Sequence, residues 1–256
     1  MTDHPPKASN GSSVSSRDDN IAIELNPHLD RHQLAECFRQ SGRVHIPSIL
    51  TDAAAQRLHY ALERETPWGL IFNEGNKARK FESVSSEDHQ AMLIAAWERA
   101  HHEFQMFYHY YPISERGNIY PDPEHYLRRL AEFLSSPQFY AFIRDITGIE
   151  VNGLQSCKAT LFNPLHFLCV HDDNNPERER HVAYSLNMTP TWRPDWGGAL
   201  QFFDSKDHVE DVYLPTFNAL NLFRVPKRHS VSQVAAFGGS RYSVVGWFEA
   251  DNAKRT

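Results

Sequence analysis

The sequence predicts an α+β fold in which a mainly helical first half, residues 21–150, buttresses an antiparallel β core over 151–250. Three observations carry this. Apolar residues recur at helical spacing up to about Gly148, strand-like runs crowd the stretch after Asn152, and turn signals such as Asn-Pro, Trp-Gly-Gly, Leu-Pro and Gly-Gly separate those runs. Eight short strands in succession, cut by tight turns, are the pattern of a barrel or jelly roll, which gives a double-stranded β-helix (cupin-like) core. Residues 1–20, rich in Ser, Asn, Asp and Pro, are expected to form a disordered tail. Neither half looks self-sufficient, so 21–256 is expected to be a single domain.

In order along the chain, "LDRHQLAECFRQSG" sets Leu34, Cys37 and Phe38 on one helical face and ends at Gly42, a C-cap residue. "RVHIPSIL" reads as a short strand ended by Pro47. "TDAAAQRLHYALERE" reads as a helix with Thr51 as N-cap. "SEDHQAMLIAAWERAHHEFQMFYHYY" is expected to run on helically for many turns. "DPEHYLRRLAEFLSS" and "PQFYAFIRDITG" complete the helical half, the second with Pro137 in its first turn and Gly148 at its end. The segment 67–86, mixing Gly, aromatic and basic residues, reads either as a substrate loop or as an ordinary hairpin. The core strands are "GLQSCKATLFN", "HFLCVHDD", "HVAYSLNMT", "ALQFFD", "VEDVYLP", "ALNLFRV", "HSVSQV" and "RYSVVGWFEA".

Composition removes several functional classes. With 26 basic against 32 acidic residues the net charge is -6, so a general nucleic-acid surface is not expected. Three cysteines, Cys37, Cys157 and Cys169, are far apart and odd in number, which argues against a disulfide framework. The N-terminus has no apolar run of a secretory signal, and no stretch reaches the roughly 18 apolar residues of a membrane helix. A cytoplasmic protein without a membrane partner is the expectation.

Fifteen histidines make chance motifs common. The tripeptide H-x-[DE] is expected roughly twice by chance in such a composition, and it occurs four times: His28-Asp30, His101-Glu103, His171-Asp173 and His208-Glu210. Position separates them. Asp30 stands at a helix start, His101 and Glu103 lie in the long helical run where residues two apart do not face one another, and His208 and Glu210 follow an exposed turn. Only His171 and Asp173 follow an apolar strand, where residues two apart share a face, with Asp172 pointing the other way. Two histidines and one carboxylate form the facial triad of non-haem Fe(II) oxygenases, and a later strand start offers His229. On the following strand Arg241 and Ser243 again share a face, and a buried guanidinium calls for an anion such as a carboxylate.

The ordered set His171-x-Asp173, His229, Arg241-x-Ser243, with "WRPDWGGALQFFD" between, resembles the 2-oxoglutarate- and Fe(II)-dependent dioxygenases, in particular their prolyl-hydroxylase-like branch. The resemblance covers roughly residues 152–250. It implies that His171, Asp173 and His229 hold Fe(II), that Arg241 binds the distal carboxylate of 2-oxoglutarate with help from Ser243, and that Tyr184 donates to the same carboxylate. It implies O2 as the second co-substrate and leaves room for ascorbate. Asp173 as a ligand argues against a halogenase. One departure stands out: where the branch has a tyrosine on the strand before the metal histidine, this sequence has Phe162 and Asn163.

The implied activity is hydroxylation of a prolyl residue in a peptide or protein, or of a free amino acid, coupled to conversion of 2-oxoglutarate to succinate. Two other readings use the same residues: a non-catalytic cupin-like sensor that binds metal or ligand, and a zinc hydrolase. Neither has a use for Arg241, and no general base is placed for the second. Trp192 and Trp196 read as turn packing, Lys158, Arg224 and Arg228 as a solvated face, and His166, His181, His101 and His102 as structural.

Overall fold

The computed structural model of the protein describes residues 19–75, 77–175 and 179–250. The disordered tail expected over 1–20 thus lies outside the described residues except at its end. There Asp19 meets the buried guanidinium of Arg57, and its carbonyl accepts from Arg129.

Among the described residues five α-helices form: α1 (Arg31–Ser41), α2 (Asp52–Tyr60), α3 (Ser86–Ala100), α4 (Tyr126–Leu134) and α5 (Pro137–Thr147). Asp30 accepts from Gln33 N at the start of α1, and Gly42 ends it with φ of 69°. Ser136 caps α5 with Pro137 next, and Gly148 closes it with φ of 67°. Both glycines supply the left-handed conformation that side chains resist. Thr51 occupies the N-cap position of α2 without a side-chain bond to the backbone.

Among the described residues thirteen strands make up the sheet: β1 (Arg43–Ile46), β2 (Gly69–Glu74), β3 (Lys77–Phe81), β4 (Met106–Glu115), β5 (Asn118–Ile119), β6 (Val151–Phe162), β7 (Phe167–His171), β8 (Arg180–Asn187), β9 (Leu200–Phe203), β10 (Val209–Tyr213), β11 (Ala219–Arg224), β12 (His229–Val231) and β13 (Arg241–Ala250). Their order is β1-β11-β8-β13-β6-β4-β7-β12-β9-β10, with β2 and β5 added on β4 and β3 on β2. The described pairings between these strands are antiparallel, and the sheet curls into a nearly closed barrel. The eight strands expected after Asn152 are all present.

The first half departs from expectation. The helix continues only to Ala100, and "MFYHYYPISE" is not helix but β4, a strand that pairs with β2, β5, β6 and β7. A run rich in Phe, Tyr and Ile satisfies either period over a short window, and the β preference of those residues prevails once a sheet edge is available. A register irregularity between Pro112 and Ser114 accommodates the proline, which has no N–H to give the ladder. The 67–86 segment is a hairpin, β2 returning as β3.

Strand alternation then divides the sheet into two faces. Val182, Tyr184 and Leu186 of β8, Val244 and Phe248 of β13, and Leu220 and Leu222 of β11 bury against Phe38, Leu58, Leu130, Phe139, Phe142 and Ile143 of the helices. Each such side chain contributes about 1.5–3 kcal/mol. The opposite face, with Thr160 and Phe162 of β6, Ser185 of β8 and Arg241 and Val245 of β13, lines an internal cavity. Helical packing on one face leaves the other free for chemistry.

Gly246 sits in the centre of β13, where a Cβ would lie 1.8 Å from Ser156 O and 2.8 Å from Tyr184 Oη. Gly246→Ala is expected to destabilise the fold by about 1–3 kcal/mol or more through overpacking, read as a lower urea midpoint with an unchanged slope.

Candidate active site

The cavity, about 220 Å³, is lined from eight strands. At one side β12 pairs with β7 so that His229 and His171 are direct cross-strand partners, their rings 4.2 Å apart. His171 Nδ1 donates to the Cys169 carbonyl (3.0 Å) and His229 Nδ1 to the Lys227 carbonyl (2.7 Å). Each carbonyl fixes the proton on Nδ1 and turns the Nε2 lone pair inward, as metal-binding imidazoles require. The Asp173 carboxylate lies between them, 3.4 Å from His171 Nε2 and 3.4 Å from His229 Nε2. Ligands at right angles around an ion about 2.1 Å away stand roughly 3 Å apart, so the three atoms need only small shifts to share one ion.

Burial opposes ionisation of Asp173, but the facing imidazoles of His171 and His229 more than offset it and hold the carboxyl below the usual range. Burial, reinforced by His171, lowers His229 to about 4, so its lone pair is available at neutral pH. The donor set of two imidazoles and one carboxylate on one side is suited to a divalent first-row metal such as iron.

Strand alternation picks out Asp173 over Asp172, but a turn rather than the strand brings its carboxylate to the two histidines. β7 ends at His171, and Asp173 adopts a left-handed φ of 61°. Asp172 is exposed and accepts from Asn174 N at 2.9 Å, forming the turn that swings Asp173 inward. Arg180, which donates to the Asp173 carbonyl (3.2 Å) and stacks on Trp247 with its guanidinium 3.7 Å from the ring centre, holds that turn from β8.

Arg241 lies at the other side of the cavity, 2% exposed. Its Nη1 donates to Ser243 Oγ (3.2 Å) and its Nη2 to Asn187 Oδ1 (3.3 Å), while Nε has no partner. Ser243 Oγ is in turn 2.9 Å from Thr160 Oγ1. The guanidinium sits 5.2 Å from the Phe162 ring centre. No carboxylate pairs with it among the described residues, and burial without a compensating anion pulls its pKa down to about 10, still charged at neutral pH. A buried cation with a spare donor, facing a cavity, is a socket for a small anion.

Tyr184 borders the cavity, while its ring is buried in the core. It lies on the parity of β8 that faces the helices, stacked near Phe248 at 5.1 Å with its hydroxyl directed to the Ser156 carbonyl. Its neighbours Ser185 and Asn187 face the cavity side instead. A second tyrosine at the cavity is Tyr108 of β4, whose ring stacks on Phe162 at 4.8 Å. Lys158 also faces inward rather than onto a solvated face, donating to Tyr108 Oη at 3.3 Å and lying 5.2 Å from the Trp247 ring centre. Tyr108, Asn187 and Thr160 carry no motif signal, because their meeting depends on pairing between distant strands. Trp192 does pack in the turn, its indole donating to Gly197 O (2.9 Å) and its ring edge-on to Trp196. The other three H-x-[DE] tripeptides serve elsewhere: Asp30 caps α1, Glu103 accepts from Gln105, and Glu210 pairs with Arg43 and Lys227.

Comparison with known proteins bears on this geometry. Residues 157–249 match the 2OG-Fe(II) oxygenase superfamily, a span that holds the three candidate ligands and Arg241. The chain is 30% identical over 125 residues to prolyl 3-hydroxylase OGFOD1 of Mus musculus, a stretch covering 46% of this chain and 22% of the mouse protein. The chain matches only 22% to 29% of the length of such curated relatives. A 2OG-Fe(II) oxygenase family oxidoreductase of Burkholderia pseudomallei superposes with a TM-score of 0.62 at 15% identity, covering 91% of this chain and 96% of that one. A prolyl-4-hydroxylase of Pseudomonas putida superposes with a TM-score of 0.54 at 15% identity, covering 93% and 99%. These structures share the fold: a double-stranded β-helix with helices behind it. The superfamily takes Fe(II) and 2-oxoglutarate, and both halves of the cavity suit them: converging lone pairs for the ion, an unpaired guanidinium for the acid.

Asp173→Asn is expected to weaken binding of Mn2+, a redox-inert stand-in for iron, by at least about tenfold. Asp172→Asn is expected to leave it unchanged, and equilibrium dialysis of both variants checks the assignment.

Proposed function

We propose that residues 21–256 act as one Fe(II)- and 2-oxoglutarate-dependent dioxygenase domain that hydroxylates a prolyl residue in a peptide or protein, or a free amino acid, and releases succinate. The observation that carries this reading is the buried, carboxylate-free Arg241 in the same cavity as the His171, Asp173 and His229 cluster. His171, Asp173 and His229 hold the iron, and Arg241 with Ser243 grips the distal carboxylate of 2-oxoglutarate. Iron with its two co-substrates supplies the oxidising chemistry that puts oxygen into a C–H bond.

The protein's own residues supply geometry and exclusion of water. Asn187 and Ser243 fix the plane of the Arg241 fork, so its free edge meets a carboxylate without reorganisation. Phe162, Leu168 and Val231 keep the space between the two sites dry. Phe104, 39% exposed and 5.6 Å from the His171 ring, lines the cavity and marks the side from which substrate reaches the iron. A prolyl ring is apolar and compact, and an aromatic entrance of this kind suits it; the likeness to the mouse prolyl 3-hydroxylase points the same way.

Tyr108 takes the place of the tyrosine that Phe162 lacks and offers its hydroxyl to the co-substrate, while Tyr184 serves the core. The three free thiols, Cys37, Cys157 and Cys169, accord with a reducing compartment, and we place the enzyme in the cytoplasm on that ground. Among the described residues no helix is long and apolar enough to cross a membrane. Ascorbate enters as an accessory reductant of the iron.

The test is succinate release from 2-oxoglutarate with Fe(II), scored beside mass-spectrometric gain of one oxygen on proline-containing peptides and free amino acids. Arg241→Met is expected to raise KM for 2-oxoglutarate at least about 30-fold, as loss of one partner from a buried charge pair costs about 2 kcal/mol or more. Tyr184→Phe is expected to leave that KM unchanged and to lower only stability. Failure of the wild-type chain to release succinate with any of these substrates would overturn the reading.

A further inference from the structure

Behind the sheet, on the face of β4 opposite the cavity, three histidines converge from three separate elements. His89 comes from α3, His109 from β4, and His166 from the corner between β6 and β7. A ring nitrogen of each lies within 4.8 Å of one from each of the others. His166 Nε2 and His89 Nε2 are 3.3 Å apart, and the ring centres of the three pairs are 5.2 to 5.4 Å apart. Two nitrogens bound about 2.0–2.1 Å from a tetrahedral ion stand about 3.3–3.4 Å apart. The His89–His166 separation is already that edge.

Supporting groups orient the rings as a metal site needs. The Gly69 carbonyl lies 3.1 Å from His109 Nδ1 and takes its proton, which leaves Nε2 with a lone pair. His166 is served in either tautomer, with the Asn163 N–H 3.3 Å from Nδ1 and the Leu161 carbonyl accepting from the ring. Phe107 packs edge-on against His89 (5.1 Å) and His166 (5.2 Å), so the cluster stands on an apolar floor. His166 is fully buried, while His89 and His109 are half-buried and leave one side open. Burial lowers all three, His166 to about 3, so at neutral pH the cluster holds uncharged imidazoles.

We propose that His89, His109 and His166 form a second metal site, separate from the iron centre, that takes Zn2+ through three imidazole nitrogens with a water in the fourth position. An all-imidazole set without a carboxylate selects a borderline-soft ion such as Zn2+ over Mg2+ or Ca2+ and binds Zn2+ more tightly than Fe(II). On binding, the proton between the Nε2 atoms of His166 and His89 passes to the Nδ1 of the ring that carried it, so each ring stays neutral and the cluster releases no net proton. No redox step is involved. The ion joins α3 to β4 and to the residue that immediately precedes β7, the strand that ends in His171. Its role is to brace that strand from behind.

The test strips the full chain of metal with a chelator, dialyses it against Zn2+ alone and counts bound zinc by elemental analysis. Wild type is expected to hold two ions per chain, one at each site. Asp173→Ala, altered only at the iron centre, keeps one and gains thermal stability on adding Zn2+. His109→Gln and His89→Gln, checked for folding by circular dichroism, each keep one, and combining either with Asp173→Ala leaves none. The Asp173→Ala arm changes nothing in the cluster, so it decides the matter even if a histidine variant misfolds. If Asp173→Ala binds no zinc and its melting temperature does not move, the three rings are a hydrogen-bonded packing cluster and the proposal falls, whatever the outcome for succinate release.

Discussion

The antiparallel register of β7 on β12 is the constraint on which the site depends. It sets His229 directly across from His171, and the turn after β7 then brings Asp173 between them. A shift of one residue would send one histidine to the opposite face and leave its partner without a third donor. The register is pinned from both sides, because β12 also pairs with β9 through Phe202 and Gln201. Asp173 accepts a left-handed backbone at this point, a local strain that the surrounding sheet and Arg180 sustain.

A second consequence follows on β13. This strand lies between β6 and β8 and is held by both, so its inward face is rigid enough to keep a guanidinium buried without an anion. Such an arrangement costs stability, and an apolar residue in place of Arg241 would pack the same space more cheaply. The helices on the other face offset that cost: Phe139, Phe142, Leu130 and Leu58 bury fully against the barrel. A binding protein without turnover has no need of this expense, whereas an enzyme that must seize a small dicarboxylate beside a metal does.

Much of this was legible in the chain because it is encoded locally. Asp30, Ser136, Gly42 and Gly148 announce helix ends through their own chemistry, and alternation marks the β6 to β13 strands. The order of His171, Asp173, His229 and Arg241 could be read because each lies at, or within two residues of, a strand end or start. What was not legible depends on distant pairing. β4 reads as helix until β2, β6 and β7 are there to claim it, and with it Tyr108 and His109 change from helix-surface residues to neighbours of two different sites. That the Tyr184 ring joins the helical core while the residue borders the cavity depends on the position of the helices. His166 looks like one more of fifteen histidines until α3 brings His89 to it.

The central claim is that metal and arginine together make one receptor for a 2-oxo dicarboxylate. Anaerobic calorimetry of 2-oxoglutarate against the Mn2+-loaded and the metal-free chain tests it most directly, with glutarate, which keeps both carboxylates but lacks the 2-oxo group, as the comparison. The account predicts that 2-oxoglutarate binds tightly only with the ion in place, and that glutarate gains little from the ion. Equal affinity of 2-oxoglutarate with and without metal, or equal gains for both acids, would contradict it.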